Sequence, residues 1–248
     1  FHQQDLLPAL GLQFDPREDL TLRAAFSETV ARQTFKELTP IFQQEYLGGP
    51  VFVGNPGLRM SALRNYDLRA DWRPVAGGLL SASWFRKEID DPIEYVEKVA
   101  TYSFTTAVNY PHGTLQGFEV EARQELGELW HPLAGLGLGA NSTWIRASVR
   151  LPDQEITQFE ALHGVRPATS RDMTNAPDYV WNAFATWDIA TTKTSFGLFY
   201  TVTGDTLVQG PGPSNDFFVP ATYDTRFESL SASLSQSLGS GVKLTVGA

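Results

Sequence analysis

Arg64-Asn65-Tyr66-Asp67-Leu68-Arg69-Ala70-Asp71-Trp72-Arg73-Pro74-Val75-Ala76-Gly77-Gly78-Leu79-Leu80-Ser81-Ala82-Ser83-Trp84-Phe85-Arg86-Lys87 carries the pattern that decides the fold. Its first half alternates without a break. Tyr66, Leu68, Ala70 and Trp72 fall on one face, and Asp67, Arg69, Asp71 and Arg73 on the other. Side chains in a strand change face at every residue, so this strand has one apolar and one fully charged face. Pro74 to Gly78 supplies a turn, and the returning strand sets Leu80, Ala82 and Trp84 on the apolar side. A hairpin divided in this way belongs to a sheet with an oily environment on one side and water on the other. A soluble β-sandwich and a membrane β-barrel both meet that condition.

Outward from this hairpin the same alternation recurs. Strands are predicted over residues 9–14, 20–30, 114–124, 136–148, 178–188, 194–203, 225–237 and 242–246, about ten with the opening pair. Their apolar faces carry Leu20, Leu22, Ala24 and Phe26; Phe118, Val120 and Ala122; Leu138, Ala140 and Trp144; Trp181, Ala183, Ala185 and Trp187; and Phe196, Leu198, Tyr200 and Val202. The opposite faces carry Thr21, Arg23, Glu119, Glu121, Arg123 and Asn141. Short turns after Phe14, Arg73, Glu125, Asp188 and Ser237 alternate with long connections over residues 32–62, 89–113, 150–177 and 204–223. Structureless loops beyond about 15 residues are uncommon in compact domains. Outer-membrane barrels, in contrast, pair short periplasmic turns with long extracellular loops, and strands of about 10 residues match a tilted bilayer crossing. With the tight turns periplasmic, Trp72 and Trp187 lie at the inner interface and Trp144 and Trp181 at the outer one. An apolar ring with a wet N–H is best accommodated at those two levels. The expected fold is all-β: an antiparallel transmembrane β-barrel segment whose charged faces line a wet lumen. A soluble sandwich would carry the same charges on its solvated outside.

Composition bounds the function. The 248 residues fit one all-β domain, and no run approaches the roughly 18 apolar residues of a membrane helix. The mean hydropathy of −0.20 suits either architecture, because only alternate barrel residues face lipid. A formal charge of −9 argues against nucleic acid as a partner. The absence of cysteine excludes disulfides, thiolate metal sites and a Cys nucleophile. His2, His112, His131 and His163 lack metal-like spacing. No Gly-x-Ser-x-Gly elbow occurs, and Gly239-Ser240-Gly241 reads as hairpin-turn chemistry. No catalytic residue, metal or cofactor is expected, and the chain is not expected to be an enzyme. Phe1 follows no charged-then-apolar leader, so the segment reads as mature or excised.

Val30-Ala31-Arg32-Gln33-Thr34-Phe35-Lys36-Glu37-Leu38-Thr39-Pro40 resembles the segment that follows a barrel strand in TonB-dependent outer-membrane receptors, with Gln33 where members often carry Pro. Gly54-Asn55-Pro56 with Leu58, Asn65-Tyr66-Asp67-Leu68, Phe85-Arg86-Lys87-Glu88-Ile89-Asp90-Asp91-Pro92-Ile93, Gly117-Phe118-Glu119 and Asn175-Ala176-Pro177 follow in that family's order. The resemblance implies a barrel of the 22-stranded type, closed by an N-terminal plug and energised through TonB. Against that architecture, residues 1–248 are expected to be the C-terminal half of the barrel, with the plug domain and final strand absent. The partners implied are outer-membrane lipid, the plug of the same full-length chain, TonB through the missing N-terminal part, and a small-molecule substrate. The cargo implied is a scarce solute such as an iron–siderophore complex or an oligosaccharide. A passive porin-like outer-membrane channel and a soluble β-sandwich ligand-binding module are the other two readings. Ligand contacts are expected from aromatic and amide-bearing outer loops, because binding residues concentrate on loops held by a rigid scaffold. They are Phe42, Gln43, Gln44 and Tyr46; Tyr102, Phe104, Asn109 and Tyr110; Phe159 and His163; and Asn215, Phe217 and Phe218.

Overall fold

The alternation builds a single antiparallel meander. The computed structural model describes residues 5–44, 46–99, 101–213, 218–239 and 241–248. Ten strands cross one sheet in chain order: β1 (Ala9–Arg17), β2 (Leu20–Ala31), β3 (Ser61–Trp72), β4 (Gly78–Asp90), β5 (His112–Glu125), β6 (Leu136–Arg150), β7 (Tyr179–Ile189), β8 (Thr194–Thr203), β9 (Phe227–Gly239) and β10 (Val242–Gly247). Among the described residues β1 pairs only with β2 and β10 only with β9.

Register keeps the two faces apart across the wall. Leu20, Trp72, Leu80 and Ala122 align from β2 to β5, as do Leu22, Ala70, Ala82 and Val120. On the reverse face Thr21, Asp71, Ser81, Glu121, Asn141, Asn182 and Thr201 form one row from β2 to β8. Exposure is inverted relative to a protein that buries its apolar face: Leu12 is 68% and Phe118 60% exposed, whereas Asp71 is 4% exposed. A sandwich would cover the apolar face with a second sheet. Here it stands open, with Trp72, Trp144, Trp181 and Trp187 among its exposed residues.

The charged face carries a network centred on Asp71. Arg69 donates to Asp71 at 2.8 Å, to Glu121 at 3.2 Å and to Ser83 at 3.3 Å. Asp71 also accepts from Ser81 at 2.7 Å and from Arg23, which reaches Gln13 at 3.2 Å. Further round the wall, Asn182 donates to Asn141 and Thr201 to Asn182. Buried charges persist only when paired and hydrogen-bonded in this way.

The hydrophobic core sits at the long-connection end. There the inner face, which carries Asp71 and Glu121 lower down, turns apolar through Leu63, Ile89, Leu115, Ile145, Ala147 and Val149. The connections fold onto that patch through Val96, Tyr110, Leu151, Ile156 and Met173. They are therefore not the irregular stretches expected from sequence. The second holds a hairpin, Ile93–Val99 with Ser103–Asn109, joined into a four-stranded sheet with Phe42–Gln43 and Phe52–Val53 of the first. The third holds a helix, Asp153–His163, entered from Pro152 and closed by Gly164 at φ 68. Glycine tolerates that left-handed conformation without a Cβ penalty.

The short-turn end differs in two details. β1 continues through Asp15 and Pro16 to Arg17, with a register slip between Phe14 and Arg17, so the reversal falls at Glu18 and Asp19. Proline is tolerated because it falls within the register slip, where the ladder is already interrupted. The reversal after Glu125 is not tight; it contains 3-10 turns at Leu126–Glu128 and His131–Leu133. No helix among the described residues is long and apolar enough to cross a membrane.

Candidate functional site

The long connections form one packed body because each is tied to the hairpin over residues 93–109. In the first, Thr34 caps the helical turn Phe35–Leu38 in a capping box with Glu37, which satisfies orphan N–H groups reciprocally. The remaining Glu37 oxygen accepts from Tyr95 Oη at 2.9 Å. Gly54 lies against the same turn: a Cβ there would stand 2.3 Å from Thr39 O, so only glycine permits the approach. Asn55 then donates to Ala107 O at 3.1 Å, and Asn109 brackets Arg59 through its amide and carbonyl. From the fourth connection, Gly210 N donates to Tyr95 O at 2.8 Å, and Thr206–Gln209 pairs with Thr222–Asp224.

The third connection contributes a buried polar cluster. Arg171 Nη1 donates to Glu94 Oε2 at 2.7 Å, and Thr174 N donates to the same oxygen at 3.1 Å. Tyr110 Oη donates to Glu155 Oε2 at 2.6 Å. Burial holds both carboxyls, Glu94 and Glu155, above the ordinary range; Arg171 opposes this in each case without overturning it. Burial, reinforced by Glu37, pushes the Tyr95 phenol up to about 12. A carboxyl that protonates more readily in the folded state adds stability that is fully present below its unfolded value, near 4.5, and is lost as pH rises through the raised folded value. Amide exchange in residues 93–109, corrected for intrinsic rate, is therefore expected to be slower at about pH 5 than at about pH 8. Faster corrected exchange at the acid end would reverse the sign.

The loop residues expected to contact ligand separate into groups. Phe42, Tyr102 and Phe104 come together, with ring centroids 5.4 Å apart for Phe42–Tyr102 and 6.1 Å for Tyr102–Phe104. Phe42 and Tyr46 are about two-thirds exposed, at 67% and 66%. Phe42, Tyr102 and Phe104 form an aromatic crest at the long-connection end. Gln43 and Gln44 flank it, with their amides donating to Lys36 O and Gly49 O. Phe159 and His163 make a separate edge contact at 4.4 Å on the helix. Asn109 and Tyr110 lie at the base of the hairpin, and Tyr110 is 1% exposed. Asn215 and Phe217 lie outside the described residues, and Phe218 is described by its backbone pairing with Pro213. Sequence reading did not find Glu94, Glu155 or Arg171. Glu155 follows a readable helix start after Pro152, but nothing local marks its partnership with Tyr110.

An exposed crest of rings with amides beside it can stack on a flat or bulky ligand and hydrogen-bond its edges. Among the described residues no group of three or more His, Asp or Glu side chains could hold a metal ion.

A family model described as TonB dependent receptor-like, beta-barrel, matches residues 1–248. Among solved structures, the ferric enterobactin receptor PfeA of Pseudomonas aeruginosa superposes with a TM-score of 0.61 at 18% identity, over 97% of this chain and 34% of that one. The siderophore receptor PirA of Acinetobacter baumannii gives 0.63 at 14%, over 97% and 36%. The copper transporter OprC gives 0.63 at 14%, over 96% and 32%. At these identities the likeness is one of fold, and the chain spans about a third of the length of the structures it matches. No curated relative matches the chain.

Proposed function

The chain belongs to the TonB-dependent receptor β-barrel family, and from that premise we propose that it is part of the wall and outer binding body of an outer-membrane importer. The importer takes up a scarce, bulky solute with energy delivered through TonB, and it is not an enzyme. The observation that carries this reading is the inverted wall: its apolar face is exposed, while on the opposite face Asp71 is buried and ion-paired with Arg69, which also reaches Glu121. Such a wall suits lipid outside and a wet lumen inside. In lipid, the outer edges of β1 and β10 need partners, which the remaining strands of a longer protein supply, and a plug domain of the same protein fills the lumen. The crest is the cargo contact, and an iron–siderophore complex is the first cargo to test, since stacked rings suit a bulky chelate.

Two results test this on the full-length protein. Because this segment has no cysteine, a single Thr101→Cys at the hairpin tip should react on intact cells with a maleimide too large to cross the outer membrane. Ala76→Cys, in the turn after β3, should react only after that membrane is opened. The reverse pattern would invert the orientation. Phe42→Ala combined with Tyr102→Ala should weaken ferric-siderophore binding about tenfold, the loss of stacking from two rings. Unchanged binding would remove the crest as the contact. Uptake that persists without TonB would leave a passive channel in place of the energised receptor.

A further inference from the structure

Arg171, from the short strand Ser170–Asp172 that pairs with the top of β6, lies in a slot. Its Cζ is 4.6 Å from the Tyr110 ring centroid on one side. On the other side is Gly210, where a Cβ would stand 2.5 Å from Cζ. Among the described residues only Nη1 has hydrogen-bond partners, Glu94 Oε2 and Asp172 O, each at 2.7 Å. Nε and Nη2 are buried without a partner among the described residues, and so are Glu94 Oε1 and Glu155 Oε1. A guanidinium is a planar fork suited to gripping a carboxylate with two parallel bonds. Here one fork edge and one oxygen of each of two carboxylates stand unused in the same buried cluster. Unmet buried polar atoms are costly and call for a physical reason.

We infer that Arg171 is a two-position latch on the hairpin over residues 93–109. Seated on Glu94 it holds the hairpin down, and turned toward Glu155 it releases the hairpin with the crest at its tip. Both seats are within one tyrosine of each other, because Tyr110, stacked on the guanidinium, itself donates to Glu155. The first seat fixes the hairpin base. Glu94 is 1% exposed, it shares its oxygen with Thr174 N, and Thr174 Oγ1 accepts from Tyr95 N at 3.3 Å. Leaving that seat also empties the slot against Gly210, whose N–H and C=O bond Tyr95 O and Glu97 N. A buried cluster with two alternative pairings is a bistable element, and a packed surround makes it switch between discrete states and not deform continuously. A cleft of about 590 Å³ already separates the hairpin from the helix Asp153–His163, so the hairpin has room to move. The latch rests on loop geometry and stands apart from the identity of the cargo.

The test is a distance measurement between spin labels on the full-length receptor without ligand, with Thr101→Cys at the hairpin tip and Glu160→Cys on the helix. Glu94→Gln weakens the first seat and should shift the pair equilibrium toward the longer distance by about tenfold, the worth of one charge-assisted hydrogen bond. Glu155→Gln weakens the second and should deplete the longer distance. A barrel that still shifts on heating in a gel certifies the fold of each variant. If Glu94→Gln fails to assemble, Glu155→Gln decides alone. A distribution that neither variant alters, or a longer distance in Glu155→Gln, overturns the latch.

Discussion

Val120→Arg is expected to prevent the wall from assembling, while Asn141→Arg, on the neighbouring strand, is expected to leave it intact. Val120 lies in the middle of β5, 43% exposed on the apolar face and aligned with Ala82 and Ser142. An arginine at the middle of the lipid face costs about 2–4 kcal/mol, a large share of the marginal stability of any fold. Asn141 lies on the other face, directly opposite Glu121, so an arginine there meets a carboxylate on the face proposed to line the lumen. The readout is the full-length protein in the outer membrane, run on a gel with and without boiling. Loss of the heat-shifted band in Val120→Arg alone fits the face assignment. Equal tolerance of both would reject it.

Arg171→Ala should dismantle the outer body without harming the wall beneath. The change strands Glu94, 1% exposed, with no counter-charge, and removes the cation stacked on Tyr110. Breaking one side of a buried ion pair costs about 3–5 kcal/mol. The loss falls on Val96, Tyr110, Ile156 and Met173, the core that the connections share with the strand tops. Amide protection over residues 93–109 and 153–163 should collapse while that of β5 and β6 persists. Adding Glu94→Gln should restore part of the protection, because the amide carries no charge to strand. Protection unchanged in Arg171→Ala would mean that the apolar contacts alone hold the body together.

Much of the wall was legible because a strand reports its faces with a period of two. Tyr66 to Arg73 gave both faces of β3 by simple alternation, and the antiparallel register needs nothing beyond consecutive strands and turns. Where the alternation was interrupted the reading weakened. Pro16 reads as a turn because proline usually ends a strand, yet β1 accommodates it in the register slip between Phe14 and Arg17. The helix Asp153–His163 had a readable start at Pro152 and a readable stop at Gly164. A reading built on alternation leaves it inside the third connection, because a helix shows no period of two. Of the loop aromatics, Phe42, Tyr102 and Phe104 meet at the crest, but Tyr110, of the same chemical type, is buried at the base. Residue type marks an aromatic as useful on a loop without saying which side it faces.

Sequence by itself determined the wall: strand number, order, the segregation of Leu68 and Trp72 from Arg69 and Asp71, and the alternation of short and long connections. These are local or nearest-neighbour properties, written in the period of two. Only the tertiary structure decided that the long connections are one body, and that Arg171 joins Glu94 across 77 residues while Tyr110 reaches Glu155 across 45. Such pairings leave no periodic trace. They form where the strand tops, turned apolar at Ile89 and Val149, draw distant segments into one buried volume, and burial then requires each stranded charge to find a partner.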